Sequence, residues 1–176
     1  DRIRGVAVDN GFEYKSFTSQ SLTKENINMH TSEADGYVFS AFSHGTNNTL
    51  LCGKDIYIEV NDNVKNFYSS VFYTFACNTA NGIGKEFEEA YVLGYFGYNS
   101  PAWVVPASED VFVECATKGL VSYLEGKTLG KAKADLISGY DRCLRNAKVN
   151  PIYAFLLKNK QALVTIINNE DITIND

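Results

Sequence analysis

Two short apolar runs constrain this chain more than any other feature. Tyr37-Val38-Phe39-Ser40-Ala41-Phe42 and Val71-Phe72-Tyr73-Thr74-Phe75-Ala76 are rich in aromatic and β-branched residues and carry no charge. Runs of that length and composition are strands covered on both faces, as in parallel sheets, rather than half-solvated antiparallel ones. Each stops at a residue with chemistry to offer. Ser43-His44-Gly45 closes the first, and Cys77-Asn78-Thr79-Ala80-Asn81-Gly82 closes the second.

The rest of the chain alternates strand-like and helix-like stretches. A third strand is predicted from about Tyr91 to Tyr98, ending at Asn99-Ser100-Pro101. Leu50-Leu51 and Ile56-Tyr57-Ile58-Glu59-Val60 flank Cys52-Gly53-Lys54-Asp55, the pattern of a small hairpin. Helices are predicted from Ile83 to about Ala90 and from Asp110 to Glu125, where Phe112, Ala116, Leu120 and Leu124 share a stripe and Gly126 closes the pattern. Thr128 caps a third, with Leu129, Ala132, Leu136 and Tyr140 on one face. Ala154–Leu157 and Ala162–Ile167 are expected as edge strands. The expected class is α/β: a three-layer sandwich, its central sheet mainly parallel, with helices on both faces. It is read as one domain over residues 1–176. Asp1–Asn10 resembles the tail of a helix, and Phe12–Phe17 a short strand. A doubly covered sheet has a strand before such a helix, so the first strand is expected in an upstream segment or a second chain.

Composition removes several functions. Net charge is −5, with acids and bases interspersed, which is not the clustered basic face that nucleic acid requires. No apolar run approaches bilayer length, so a soluble domain, cytoplasmic or secreted, is expected. Cysteines stand at 52, 77, 115 and 143 without a C-x-x-C pair, and only two histidines are present, so no metal site is expected. A chain this long folds without staples, and reduced thiols are the expectation for all four cysteines. Neither a P-loop nor a G-x-G-x-x-G follows a strand, and no G-x-S-x-G elbow occurs; no cofactor is expected. Gly82-Ile83-Gly84-Lys85 lacks the phosphate-loop spacing, and no EF-hand pattern offers calcium a loop.

Reactive groups in parallel α/β sheets collect at the carboxyl ends of strands. If the runs ending at His44 and Cys77 are neighbours, imidazole and thiol emerge at one sheet edge. That pair suits nucleophilic catalysis: the thiolate attacks and the imidazole supplies the leaving group's proton. Cys77 also precedes the Ile83 helix, whose terminal amides favour a thiolate. Gly45 and Gly82 let backbone amides approach a ligand, as an oxyanion site needs. Taken singly, a strand-end cysteine is more often a small buried hydrophobe, and a histidine before glycine a turn residue. Cys115 and Cys143 lie in helical patterns, Cys52 in the hairpin, and His30 in a polar surface stretch.

These residues resemble the caspase-like cysteine peptidases. An apolar strand ending Ser43-His44-Gly45, then one ending Ala76-Cys77-Asn78-Thr79, is the family's order of elements. The spacing is closest to the gingipain and clostripain members, and Leu124-Glu125-Gly126-Lys127-Thr128-Leu129-Gly130-Lys131-Ala132 is similar to a stretch of gingipain-like domains. The Gln-Ala-Cys-x-Gly signature of true caspases and the Gly-Asp-Pro near the last strand are absent. The resemblance implies an endopeptidase acting on proteins or peptides, with preference for Lys or Arg. It implies Cys77 as nucleophile, His44 as general acid and base, and the amides of Gly45 and Cys77 as oxyanion donors. Tyr98, Asn99, Ser100 and Trp103 would line the pocket for the side chain before the scissile bond, an aromatic wall suiting a Lys or Arg stem. A catalytically inactive caspase-like domain, regulatory or part of an assembly, is the alternative.

Overall fold

Burial of the run ending at Cys77 organises half of this molecule; the run ending at His44, expected to be covered on both faces, lies at the sheet's edge and is only half-buried. The computed structural model describes residues 2–32, 34, 36–90 and 92–176, which fall into two compact units. The fold is α/β with a mixed, mostly parallel sheet.

The first unit, Ser16–Ala102 with Ala162–Asn168, contains both sheets. The main sheet has β1 (Val38–Phe42), β5 (Val71–Phe75), β6 (Gly94–Tyr98) and β7 (Leu163–Ile167) in the order β1-β5-β6-β7. β1 pairs with β5 and β5 with β6 in parallel, while β7 runs antiparallel to β6. Its cross-strand pairs are aromatic. Phe72 lies opposite Tyr95 on one face, and Tyr73 stacks on Phe96 at 4.9 Å on the other. All four rings are buried, so the central strands are covered on both sides, as their uninterrupted apolar sequence requires.

Beside it lies a small antiparallel sheet of β2 (His44–Gly45), β3 (Thr49–Cys52) and β4 (Asp55–Glu59). β3 and β4 form the predicted hairpin around Gly53-Lys54; β2, two residues long, joins it as a third strand that the sequence pattern does not reveal. Helices α2 (Lys24–Thr31) and α3 (Ile83–Ala90) complete the unit. Ile27 from α2 joins Leu50, Tyr57 and Ile58 of the hairpin, Phe72 and Tyr95 of the main sheet, and Ile83 and Phe87 of α3 in one core. Helix α2 starts at Thr23, whose side chain accepts from the Asn26 amide, and it carries the exposed His30.

The second unit, residues 1–15, Trp103–Gln161 and Asn169–Asp176, is helical. It contains α1 (Arg2–Asp9), α4 (Glu109–Leu124), α5 (Leu129–Asn146) and α6 (Tyr153–Ala162), the last ending one residue into the sheet unit. The predicted stripes of α4 and α5 are buried, and Thr128 caps α5 by accepting from the Lys131 amide at 3.2 Å. Gly126 closes α4 through amide bonds from Gly126 to Tyr123 O and from Lys127 to Ser122 O.

Four expectations are corrected. Phe12–Phe17 forms no strand: its residues are half-buried or exposed, and among the described residues no neighbouring strand supplies a ladder. Ala154–Leu157 belongs to helix α6, where Leu156 and Asn159 are fully buried and no β-branched residue opposes the turn. The third strand begins at Gly94; the predicted start, Tyr91, lies outside the described residues. Cys115 and Cys143 are not reduced thiols but a disulfide joining α4 to α5, with Cα atoms 6.7 Å apart. Two helix stripes that bury against each other bring their cysteines within bridging reach, which linear spacing does not show. Cys52 and Cys77 are free.

Candidate active site

The parallel register of β1 and β5 brings the histidine and the cysteine to the same edge. The last paired rung is Phe42 opposite Phe75, and the Ser43 amide continues it by donating to the Phe75 carbonyl at 3.4 Å. His44 and Cys77 each stand two positions beyond that rung. His44 is exposed on β2, and Cys77 is half-buried.

Two glycines clamp the His44 hairpin onto the Cys77 loop. A Cβ on Gly45 would lie 2.9 Å from both the Ala76 Cβ and the Cys77 carbonyl oxygen. One on Gly82 would lie 2.3 Å from the Asn47 carbonyl and 2.1 Å from Asn48 Oδ1. The Ile83 amide donates to that same Asn47 carbonyl at 2.9 Å. The missing side chains therefore admit the protein's own backbone, holding the segments after β1 and after β5 in direct contact. Ladder alternation also matters for Gly45. Thr46 donates to Thr49 at 2.9 Å, so the next rung, Gly45 opposite Leu50, is a non-hydrogen-bonded pair. Its N–H points away from β3 and is not spent on the hairpin.

Immediately after Cys77 the chain turns sharply, with Asn78 in the left-handed region at φ 62°. Three bonds then tie this loop to the segment after β6. The Asn78 amide donates to Ser100 O at 3.3 Å, Asn81 Nδ2 to Asn99 O at 2.8 Å, and the Cys77 thiol to Ala102 O at 3.8 Å. Asn99 and Ser100, expected to line the pocket before the scissile bond, are held to the cysteine loop through their carbonyls. Tyr98 is buried, its ring edge-on to Phe75 at 5.2 Å, so it supports the strand ends from within. Trp103 belongs to the helical unit. There its ring is 42% exposed, lies 5.4 Å from Phe155 and carries Lys158 Nζ 5.5 Å from its centre. Its backbone is bracketed by the buried Asn159, which accepts from the Trp103 amide and donates to its carbonyl.

Buried hydroxyls underlie both strand ends, and sequence reasoning did not identify them. Beneath the cysteine loop, Tyr95 donates to Thr79 Oγ1 at 2.9 Å, and Thr79 meets Thr74 at 3.2 Å. Beside the histidine, the Tyr57 hydroxyl lies 2.6 Å from Ser43 Oγ. The available signal was a tyrosine or threonine inside an apolar run, since a buried hydroxyl needs a partner. Among the described residues, no group of three His, Cys, Asp or Glu is placed to hold a metal ion, and no helix is long and apolar enough to cross a membrane.

Burial pushes the Tyr57 hydroxyl up to about 12. Loss of hydration raises Tyr123 to about 12, and Tyr95 further. An unfolded tyrosine ionises near pH ~10. The folded pKa is the higher one, so this stabilisation is complete below pH ~10 and is lost as pH rises through 12. Alkaline titration should therefore show a delayed class of tyrosines whose phenolate absorbance appears together with loss of the circular-dichroism signal. Titration of every tyrosine near pH ~10 with the fold retained would contradict it.

The edge thus offers a thiol, an imidazole and a backbone N–H directed away from its hairpin, an arrangement able to support acyl transfer to sulfur. No family model matches the chain, and no curated protein matches it either.

Proposed function

We propose that the chain is a cysteine endopeptidase of the caspase-like kind, a three-layer sandwich working through Cys77 and His44. The observation that carries this reading is the register: both residues lie two positions past one parallel rung, with Gly45 pressed against the Cys77 carbonyl. In the proposed reaction the thiol proton passes to His44 and sulfur bonds to the substrate's carbonyl carbon. The amide N–H groups of Gly45 and Cys77 receive the developing oxyanion. The C–N bond then breaks, and the imidazolium protonates the departing amine. Water, deprotonated by His44, cleaves the thioester and returns the thiol. The substrate is a protein or peptide, and the preference implied by the resemblance is for Lys or Arg before the scissile bond.

One observation favours the inactive alternative. The thiol directs its proton to the Ala102 carbonyl. A productive enzyme must exchange that bond for the imidazole as substrate enters.

The test is hydrolysis of a fluorogenic peptide library, with new termini identified by mass spectrometry. Wild-type protein should cleave after one residue class, and His44→Ala should lower kcat/KM by about 10²–10⁴-fold, the usual contribution of a general acid–base. Cleavage undiminished in His44→Ala would refute the dyad.

A further inference from the structure

We infer that Tyr57 and Ser43 are positioning residues that fix the His44 backbone for reaction at Cys77; the inference rests on the peptidase reading of that pair. Ser43 Oγ donates to the His44 carbonyl at 3.1 Å and lies 2.6 Å from the Tyr57 hydroxyl. A serine hydroxyl has one proton. With that proton on the His44 carbonyl, Ser43 must accept from Tyr57. The chain of donors therefore runs from Tyr57 O–H to Ser43 Oγ and from Ser43 O–H to His44 C=O.

Tyr57 and Ser43 are both anchored. Tyr57 lies on β4, 1% exposed, within the core shared by Leu50, Ile58 and Phe72. The Ser43 amide is held by the Phe75 carbonyl, at the end of the strand leading to Cys77. Residue 43 is thus fastened to the hairpin through its side chain and to β5 through its backbone. The neighbouring histidine is exposed. A side chain in that situation is aimed by its backbone, and displacement of a catalytic group by about 1 Å can lower a rate about 10²-fold.

The experiment is the rate of Cys77 alkylation by iodoacetamide as a function of pH, with the adduct located by mass spectrometry. The proteins are wild type, His44→Ala, Tyr57→Phe, Ser43→Ala and Ser43→Thr. His44→Ala should slow Cys77 alkylation at neutral pH and displace its pH profile from that of wild type. Tyr57→Phe and Ser43→Ala should shift the profile the same way and slow the reaction at neutral pH about tenfold. Ser43→Thr, which keeps the hydroxyl, should restore both. A merely structural contact would change thermal stability but leave the pH profile where it is. A wild-type profile independent of His44 would overturn the dyad itself and this inference with it. A His44-dependent profile unmoved in Tyr57→Phe and Ser43→Ala would overturn the positioning role alone.

Discussion

Cys77→Ala is expected to abolish peptide cleavage while the protein folds normally. The expectation for activity follows from chemistry: without sulfur no thioester can form, and residual rate falls by a factor of about 10⁴ or more. The expectation for the fold follows from surroundings. Cys77 is half-buried and ends a strand, and its sulfur makes one weak bond, 3.8 Å to the Ala102 carbonyl. Deleting one such atom costs roughly 0.5–1 kcal/mol, small against a domain's total stability. Thermal melting should therefore move by only a few degrees. A Cys77→Ala protein that unfolds would show the residue to be structural, and one that cleaves like wild type would place the nucleophile elsewhere.

Gly82→Ala is expected to give the larger structural effect, at a position with no reactive atom. The new methyl group would lie 2.3 Å from the Asn47 carbonyl oxygen and 2.1 Å from Asn48 Oδ1. The Asn48 side chain can turn away, but the Asn47 carbonyl is backbone and accepts the Ile83 amide at 2.9 Å. Relief requires separating the histidine hairpin from the cysteine loop. Overpacking together with a lost hydrogen bond costs about 2–4 kcal/mol, equivalent to a fall in melting temperature of roughly 10 °C for a chain of this size. Cleavage should fall with it at temperatures where the protein is still folded. Gly5→Ala is the control: no atom lies within 4 Å of its Cβ position, and the site is in helix α1. That change should be neutral or stabilising by about 0.5–1 kcal/mol. Equal melting temperatures for the two variants would show that no clamp operates at Gly82.

What could be read beforehand follows from which interactions are local. The strand ending at Cys77 was legible because burial on both faces demands an uninterrupted apolar run; the run before His44 is a strand too, but at the sheet's edge it is only half-buried and Phe42 is exposed. Helices α4 and α5 were legible because one buried face imposes its period and Thr128 and Gly126 mark the ends. Phe12–Phe17, expected as a strand, forms none, because a strand needs a neighbour to bond with and a linear stretch does not show whether one is there. Strand β2 is two residues long and exists only through its pairing with Leu50 and Leu51. The Cys115–Cys143 bridge needs the packing of two helices. At the site, His44, Cys77 and Gly45 could be singled out from strand ends and glycine placement. Tyr57, Ser43 and the ties from Asn78 and Asn81 to Ser100 and Asn99 could not, because each partner is supplied by the fold.

The pairing of His44 with Cys77 as a working dyad is tested most directly by covalent labelling. The probes are peptide acyloxymethyl ketones ending in Lys, Arg, Asp or Asn, with the adduct mapped by mass spectrometry in wild type and His44→Ala. Labelling confined to Cys77, selective for one end residue and lost in His44→Ala, is the predicted result. Absence of labelling, or equal labelling of the two free thiols Cys52 and Cys77 regardless of His44, would contradict the account and favour the inactive domain.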